Sequence, residues 1–268
     1  MAGTRFVMVH GAWHEGWCSD AVAAELRSRG HHVDAVDLPG RTDPAAAGAA
    51  TLEDAVATVR GSVEAVSGQV VLVAHSLGGI TATQVTARVP ERIARLVYVG
   101  AFVPGHGQSF RDLASTEQFR VSVVARHKKI DVAAGLTYPP VPHEVEAFLE
   151  ACDPEIARRA VARLVPESLA FGTHPVSLPD GALDGVARTY VETLRDRALP
   201  LASQRAMHTA AGITDVVSLD TDHSPFFSRV SELTELLLAT APRTETTAPV
   251  SRGRRRSRPP RPAAAGPA

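Results

Sequence analysis

The sequence has little from which to build a cross-linked or metal-bound protein. Its 268 residues include two cysteines, Cys18 and Cys152. They supply neither a disulfide framework nor the paired spacing of a zinc site, so both read as ordinary buried or half-buried thiols. No metal ligand set and no cofactor motif stands out. No apolar run is long enough to span a membrane. No charged-then-apolar leader precedes the first strand candidate at residues 6–9, so a cytoplasmic location is expected. There is no internal repeat. The body of the chain also lacks excess positive charge. Residues 242–268 hold seven of the 28 Lys and Arg and one of the 29 Asp and Glu, so this tail is +6 and residues 1–241 are −7. An acidic body argues against nucleic acid as a partner of the folded part. The tail, rich in Pro, Arg and Ala, reads as a disordered, solvated appendage.

What is present is an alternation of apolar runs and helix-period segments. Hydrophobic residues make up 44% and charged residues 21%, an ordinary balance for one large globular domain. Strands are expected at 6–9, 33–36, 70–73, 93–99, 186–191 and 216–219. Helices are expected at 21–29, from Thr51 to about 66, at 201–211 and at 230–241. Thr51 and Asp54 have the spacing of a capping box. Repeated β-α-β units of this kind predict an α/β fold, a mostly parallel sheet with helices on both faces. Between 104 and 184 the strand rhythm gives way to prolines, glycines and short helix-like pieces, among them 153–164 with Pro154 in the first turn. That stretch reads as a mainly helical cap inserted between core segments 1–103 and 185–241.

Three motifs carry chemistry. The run Val70-Val71-Leu72-Val73-Ala74-His75-Ser76-Leu77-Gly78-Gly79 is a buried strand followed by a tight turn around one serine. This resembles the nucleophile elbow of α/β-hydrolases, with Ala74 in the place of its usual first glycine. The opening motif His10-Gly11-Ala12-Trp13-His14-Glu15-Gly16-Trp17 follows the first strand. A backbone N–H from it, taken as Ala12, pairs with that of Leu77 as an oxyanion hole, and Gly11 permits close approach. Trp13, His14 and His10 are candidates for the pocket wall, whereas Trp17 reads as packing. The third motif, Asp220-Thr221-Asp222-His223-Ser224-Pro225, follows the last strand and supplies His223 as general base. The order Ser, acid, His then selects Asp196 in the loop after the preceding strand. His75 neighbours the nucleophile but is expected to face away from the cleft as a structural residue.

Together these motifs resemble the α/β-hydrolase family that contains plant methyl esterases, plant hydroxynitrile lyases and bacterial carboxylesterases. The resemblance covers most of residues 5–240 and extends to Asp37-Leu38-Pro39-Gly40, Ala101-Phe102-Val103-Pro104, Cys152-Asp153-Pro154-Glu155 and Arg195-Asp196-Arg197-Ala198-Leu199-Pro200. It implies an α/β-hydrolase fold, a triad of Ser76, Asp196 and His223, oxyanion donors Ala12 and Leu77, and Phe102 in the acyl pocket. The implied activity is hydrolysis of a small or medium carboxylic ester without a cofactor, with methyl esters and lactones in that class. A carbon–carbon lyase on the same triad is the alternative. The lyases of this branch have a threonine where this chain has Gly11 and a lysine where it has Ser224, which favours the esterase. A ligand receptor on this scaffold would not need the intact triad.

Overall fold

The computed structural model describes residues 3–41 and 44–241. The basic tail lies outside the described residues. Among the described residues nine strands are formed: β1 (Arg5–Val9), β2 (His32–Val36), β3 (Val70–His75), β4 (Ile93–Val99), β5 (Lys129–Asp131), β6 (Leu136–Tyr138), β7 (Glu167–Ser168), β8 (Ala187–Thr193) and β9 (Asp215–Leu219). Six of them make a sheet in the order β2-β1-β3-β4-β8-β9. Every pairing in it is parallel.

The sheet explains why its central strands are continuous apolar runs. Successive side chains point to opposite faces, and both faces are covered. Val7, Val9, Leu72, Ala74, Leu96 and Tyr98 pack on one side with Val56, Val59, Ile80 and Val85 of the helices Leu52–Ala65 and Gly78–Arg88. Phe6, Met8, Val71, Val73, Val97 and Val99 pack on the other with Val22, Leu26, Leu233 and Leu237 of the helices Asp20–Ser28 and Val230–Thr240. Truncating a fully buried residue here, such as Leu72 or Leu96, costs about 2–5 kcal/mol. The Thr51 box is formed in both directions. Asp54 N–H donates to Thr51 Oγ1 at 3.1 Å, and Thr51 N–H donates to Asp54 Oδ2 at 2.9 Å. Such a cap contributes about 1 kcal/mol.

Strand register sets the site. Val9 pairs with Ala74, His75 with Val99, and Thr193 with Leu219. The loops after β1, β3, β4, β8 and β9 therefore emerge at one edge, the carboxyl end, where ligands bind in open parallel sheets.

The chain between β4 and β8 covers that edge. It contains the helices Val123–His127, Glu144–Phe148 and Pro154–Val161. Asp153 caps the last of these through Oδ1, which accepts from the N–H of Glu155 and Ile156. The same segment holds an antiparallel sheet, β5-β6-β7, that the sequence pattern did not announce. Strands of two or three residues are too short to display a period of two. A small core of Trp13, Val123, Val124, Phe148, Leu149 and Ala198 joins the insertion to the sheet loops.

Candidate active site

Ser76 sits between β3 and the helix Gly78–Arg88 with φ of 50°, a left-handed conformation that a non-glycine residue adopts at a cost. Neighbouring residues enforce the turn. A Cβ on Gly78 would stand 2.5 Å from the His10 carbonyl oxygen, and one on Gly79 would stand 2.1 Å from that of Phe102. The Ser76 carbonyl accepts from the Gly79 N–H at 3.1 Å and the Phe102 N–H at 3.0 Å. Ala74 is fully buried and fills the position where the motif more often has glycine.

His223 and Asp196 meet 27 residues apart in the chain. The Nδ1–H of His223 donates to Asp196 Oδ2 at 2.7 Å. The carboxylate is held from every side. Oδ1 accepts from the N–H groups of Ala198 (2.8 Å) and Leu199 (2.7 Å), and Oδ2 also accepts from Thr193 Oγ1 (2.8 Å) and Gln204 Nε2 (3.4 Å). Gln204 further bonds the Thr193 backbone on both sides and the Leu199 carbonyl. Thr193 and Gln204 escaped the sequence reading. The available signal was a glutamine on the inner face of the helix Leu201–Ala210, where it is fully buried.

Ser76 and His223 share a cavity of about 420 Å³. No hydrogen bond joins them in this structure, as is common before a substrate tightens a site. Ala12, Trp13, His14, Leu77 and Phe102 also line the cavity, and Phe110, Lys128 and Phe148 face it from the insertion. Among the described residues, the N–H groups of Ala12 and Leu77 have no protein acceptor. Gly11 lies against the nucleophile: a Cβ there would be 2.7 Å from Ser76 Cβ and 2.9 Å from His75 Nδ1. That leaves no room for the threonine found in the lyases. Ser224 is fully buried and brings no charge beside His223.

The other histidines divide by contact. His14 lines the cavity; its Nδ1–H donates to the Ala12 carbonyl at 2.8 Å, so Nε2 is the bare nitrogen. Burial pulls its pKa down to about 4. His10 does not line this cavity, contrary to expectation. Its Nε2 accepts from the Leu38 N–H at 3.1 Å and its Nδ1–H donates to the Gly11 carbonyl, which locks the loops after β1 and β2 together. Burial holds its pKa well below the usual value. His75 faces away from the cavity and donates from Nε2 to the His223 carbonyl at 2.9 Å. Its pKa is likewise lowered, first by burial and next by the nearby His223.

Trp13 has φ of 61° and ties three parts together. Its indole N–H donates to Thr137 Oγ1, and its carbonyl accepts from the Val165 N–H. Trp17 packs instead on Phe227, with the Arg163 guanidinium 4.1 Å from the centre of its ring. No cluster of three metal-ligating side chains exists among the described residues.

A six-stranded parallel sheet with a strained serine after β3, an acid after β8 and a histidine after β9 defines an α/β-hydrolase. The profile of the alpha/beta hydrolase family matches residues 6–236, and the chain belongs to that family. It is 31% identical to Methylesterase 7 of Arabidopsis thaliana over 88% of this chain and 96% of that protein. It is 34% identical to a carbendazim hydrolyzing esterase of Nocardioides over 70% of this chain and 78% of that protein. The crystal structure of a pyrethroid hydrolase from Sphingobium faniae superimposes with a TM-score of 0.78 at 26% identity, covering 88% of this chain and 96% of that one. The chain is a hydrolase of the esterase type that these relatives represent.

Proposed function

We propose that the protein is a cofactor-independent serine carboxylesterase working through an acyl-enzyme, with Ser76 as nucleophile, His223 as base and Asp196 as the orienting acid. Asp196 engages Nδ1–H of His223, which leaves Nε2 as the basic nitrogen. Ser76 Oγ attacks the ester carbonyl carbon while its proton passes to Nε2. The carbonyl oxygen becomes an oxyanion and accepts hydrogen bonds from the N–H of Ala12 and of Leu77. Each such donor is worth about 2.7–4 kcal/mol in the transition state. The bond to the alcohol oxygen then breaks, and the alcohol leaves with the proton from His223. Water repeats the sequence, giving up a proton to Nε2 as it attacks the acyl-enzyme and releasing the acid and free Ser76.

This reading is supported above all by the 2.7 Å bond between His223 and Asp196 on the wall that also carries Ser76 and two amides free to donate. A cavity of about 420 Å³ walled by Trp13, Phe102 and Phe148 suits a small or medium ester. The names of the relatives point to methyl esters among others. In this reading nucleic acid is not a partner, given the −7 on residues 1–241. The protein is taken to act in the cytoplasm, and no helix among the described residues is long and apolar enough to cross a membrane.

A fluorophosphonate probe tests the assignment. Peptide mapping after labelling should find the adduct on Ser76 and on no other serine. Labelling elsewhere, or none by an intact and folded protein, would remove the serine-hydrolase mechanism.

A further inference from the structure

The cavity wall changes character along a chain of contacts that starts at Ser76. Phe102 is held against the nucleophile by its N–H bond to the Ser76 carbonyl. Its ring meets Phe110 edge-on, with centroids 4.9 Å apart. Beyond Phe110 stands a cation: Lys128 Nζ lies 4.9 Å from the centre of that ring. Lys128 follows the helix Val123–His127 and leads into β5, and it lines the cavity.

Among the described residues this ammonium meets the face of Phe110 and pairs with no carboxylate. Burial lowers its pKa, with no charged neighbour adding to the shift. Arg111 puts a second positive charge on the exposed rim. Among the described residues, the one acidic side chain lining the cavity, Glu167, is already tied to Arg41. A half-buried ammonium facing a ring and lacking an acceptor is poorly solvated. A carboxylate placed there would convert it into a charge-assisted pair shielded from water. The aromatic stretch between Ser76 and Lys128 would meanwhile receive methylene groups.

We infer that Lys128 is a specificity-determining residue that binds a carboxylate at the end of the substrate remote from the scissile ester, so that half-esters of straight-chain dicarboxylic acids are preferred substrates. The inference rests on the esterase reading above and adds the substrate class. In the reaction, the scissile ester is hydrolysed at Ser76 while the distal carboxylate stays bound and chemically unchanged. The product is the dicarboxylic acid and the small alcohol.

The test compares monomethyl esters of dicarboxylic acids, from succinate to suberate, with methyl esters of monocarboxylic acids of the same chain length. Methanol release is measured for the full-length protein and for Lys128→Met and Lys128→Arg. For at least one chain length, the wild-type kcat/KM should favour the half-ester. That preference should fall at least about tenfold in Lys128→Met, the size of one hydrogen bond to a charged group. Lys128→Arg should keep most of it. A salt titration of the wild type gives a reading that needs no variant. Raising NaCl from about 20 to about 500 mM should raise KM for the half-ester several-fold more than for its neutral counterpart. If neutral esters are turned over and no half-ester is preferred, or if the preference survives Lys128→Met, the role of Lys128 is wrong while the esterase stands. If no ester of either kind is hydrolysed, the esterase reading itself fails.

Discussion

The wall of the cavity built by the sheet loops and the wall built by the insertion differ in how firmly their groups are held. On the sheet side, the Asp196 carboxylate accepts from Thr193, Ala198, Leu199, Gln204 and His223, and His223 is gripped again from below by His75. On the insertion side, the rim strand β5 is exposed along its length, and Ile130 and Val132 are 52% and 78% exposed while facing the cavity mouth. Dense hydrogen bonding around Asp196 and His223 holds this part of the sheet side in one geometry, which the proposed proton transfer requires. Side chains on short, exposed elements can change without disturbing it. On the roles proposed above, chemistry and substrate choice fall to separate parts of one cavity. Several ties cross between them, among them the Val165 N–H to the Trp13 carbonyl, the Trp13 indole N–H to Thr137 Oγ1, the Ser122 hydroxyl to the Ala198 carbonyl and the Ala151 N–H to Asp222 Oδ2.

The largest expected effect falls on the sheet side. Asp196→Asn should lower kcat by about 10³ to 10⁴, because the imidazole loses the partner that fixes its tautomer. Asp222→Asn is the contrasting change. Asp222 is buried and accepts from Ala151, Ser224 and Ser228, so its loss should show mainly as a lower Tm, equivalent to about 1–3 kcal/mol. Steady-state kinetics and thermal melts on both variants decide. A crippled kcat in Asp222→Asn with a normal Tm would mean that the base is oriented from its own loop.

Gly11→Ala sharpens the same side by steric means. The added Cβ would start 2.7 Å from Ser76 Cβ, so either the nucleophile or the oxyanion loop must move. Displacements near an ångström cost on the order of 10² in rate, and kcat/KM should drop by that much. Full activity in Gly11→Ala would show that the loop after β1 yields freely and that the sheet side is not rigid.

The two sides also differed in legibility. That Ser76, His223 and Asp196 come to the same sheet edge was legible because each follows a strand whose apolar run is unmistakable. β3 runs two residues beyond its expected end at 73, to His75, since the paired strand β4 continues opposite it to Val99. The insertion offered no such rhythm. The strands β5, β6 and β7 hold eight residues in total, and what aligns them is pairing with one another, β5 with β6 across a short turn and β6 with β7 across a long sequence gap. Lys128 likewise looks like any surface lysine until the chain brings Phe110 beneath it. Gln204 was missed for a different reason: its partners lie in β8 and the loop before its helix, and sequence position alone does not show that a polar side chain points inward.

Acid should separate the walls next. The pKa values of His10 and His14, in the loop after β1, and of His75, at the end of β3, are depressed in the fold by burial. A folded pKa below the unfolded value means that the unfolded chain binds protons first as pH falls. Stability is therefore full above about pH 6.5 and is lost progressively below it. For His14, with a folded pKa of about 4, the loss reaches about 3 kcal/mol at pH 4. Denaturant unfolding at a series of pH values should show this slope, and His14→Gln should flatten it. Hydrogen exchange at mildly acid pH should loosen residues 10–14 before residues 129–138. Earlier loosening of the insertion would reverse the assignment of the acid-sensitive region.

The smallest effect is expected from the basic tail, which lies outside the described residues. Residues 242–268 carry seven arginines and no apolar periodicity from which a buried face could be made. A segment without such a face adds little to folding, and its positive charge has no counterpart among the substrate-facing groups proposed above. Removing it changes the net charge of the protein from −1 to −7, which bears on solubility and long-range attraction and not on the sheet. A chain ending at Pro242 should keep its Tm and its kcat/KM for neutral esters. For half-esters the loss of six positive charges should reduce kcat/KM by no more than about twofold at physiological ionic strength, where screening acts within about 8 Å. A larger drop confined to half-esters would show that the tail, and not Lys128 alone, supplies the field that draws the anionic end of the substrate into the cavity.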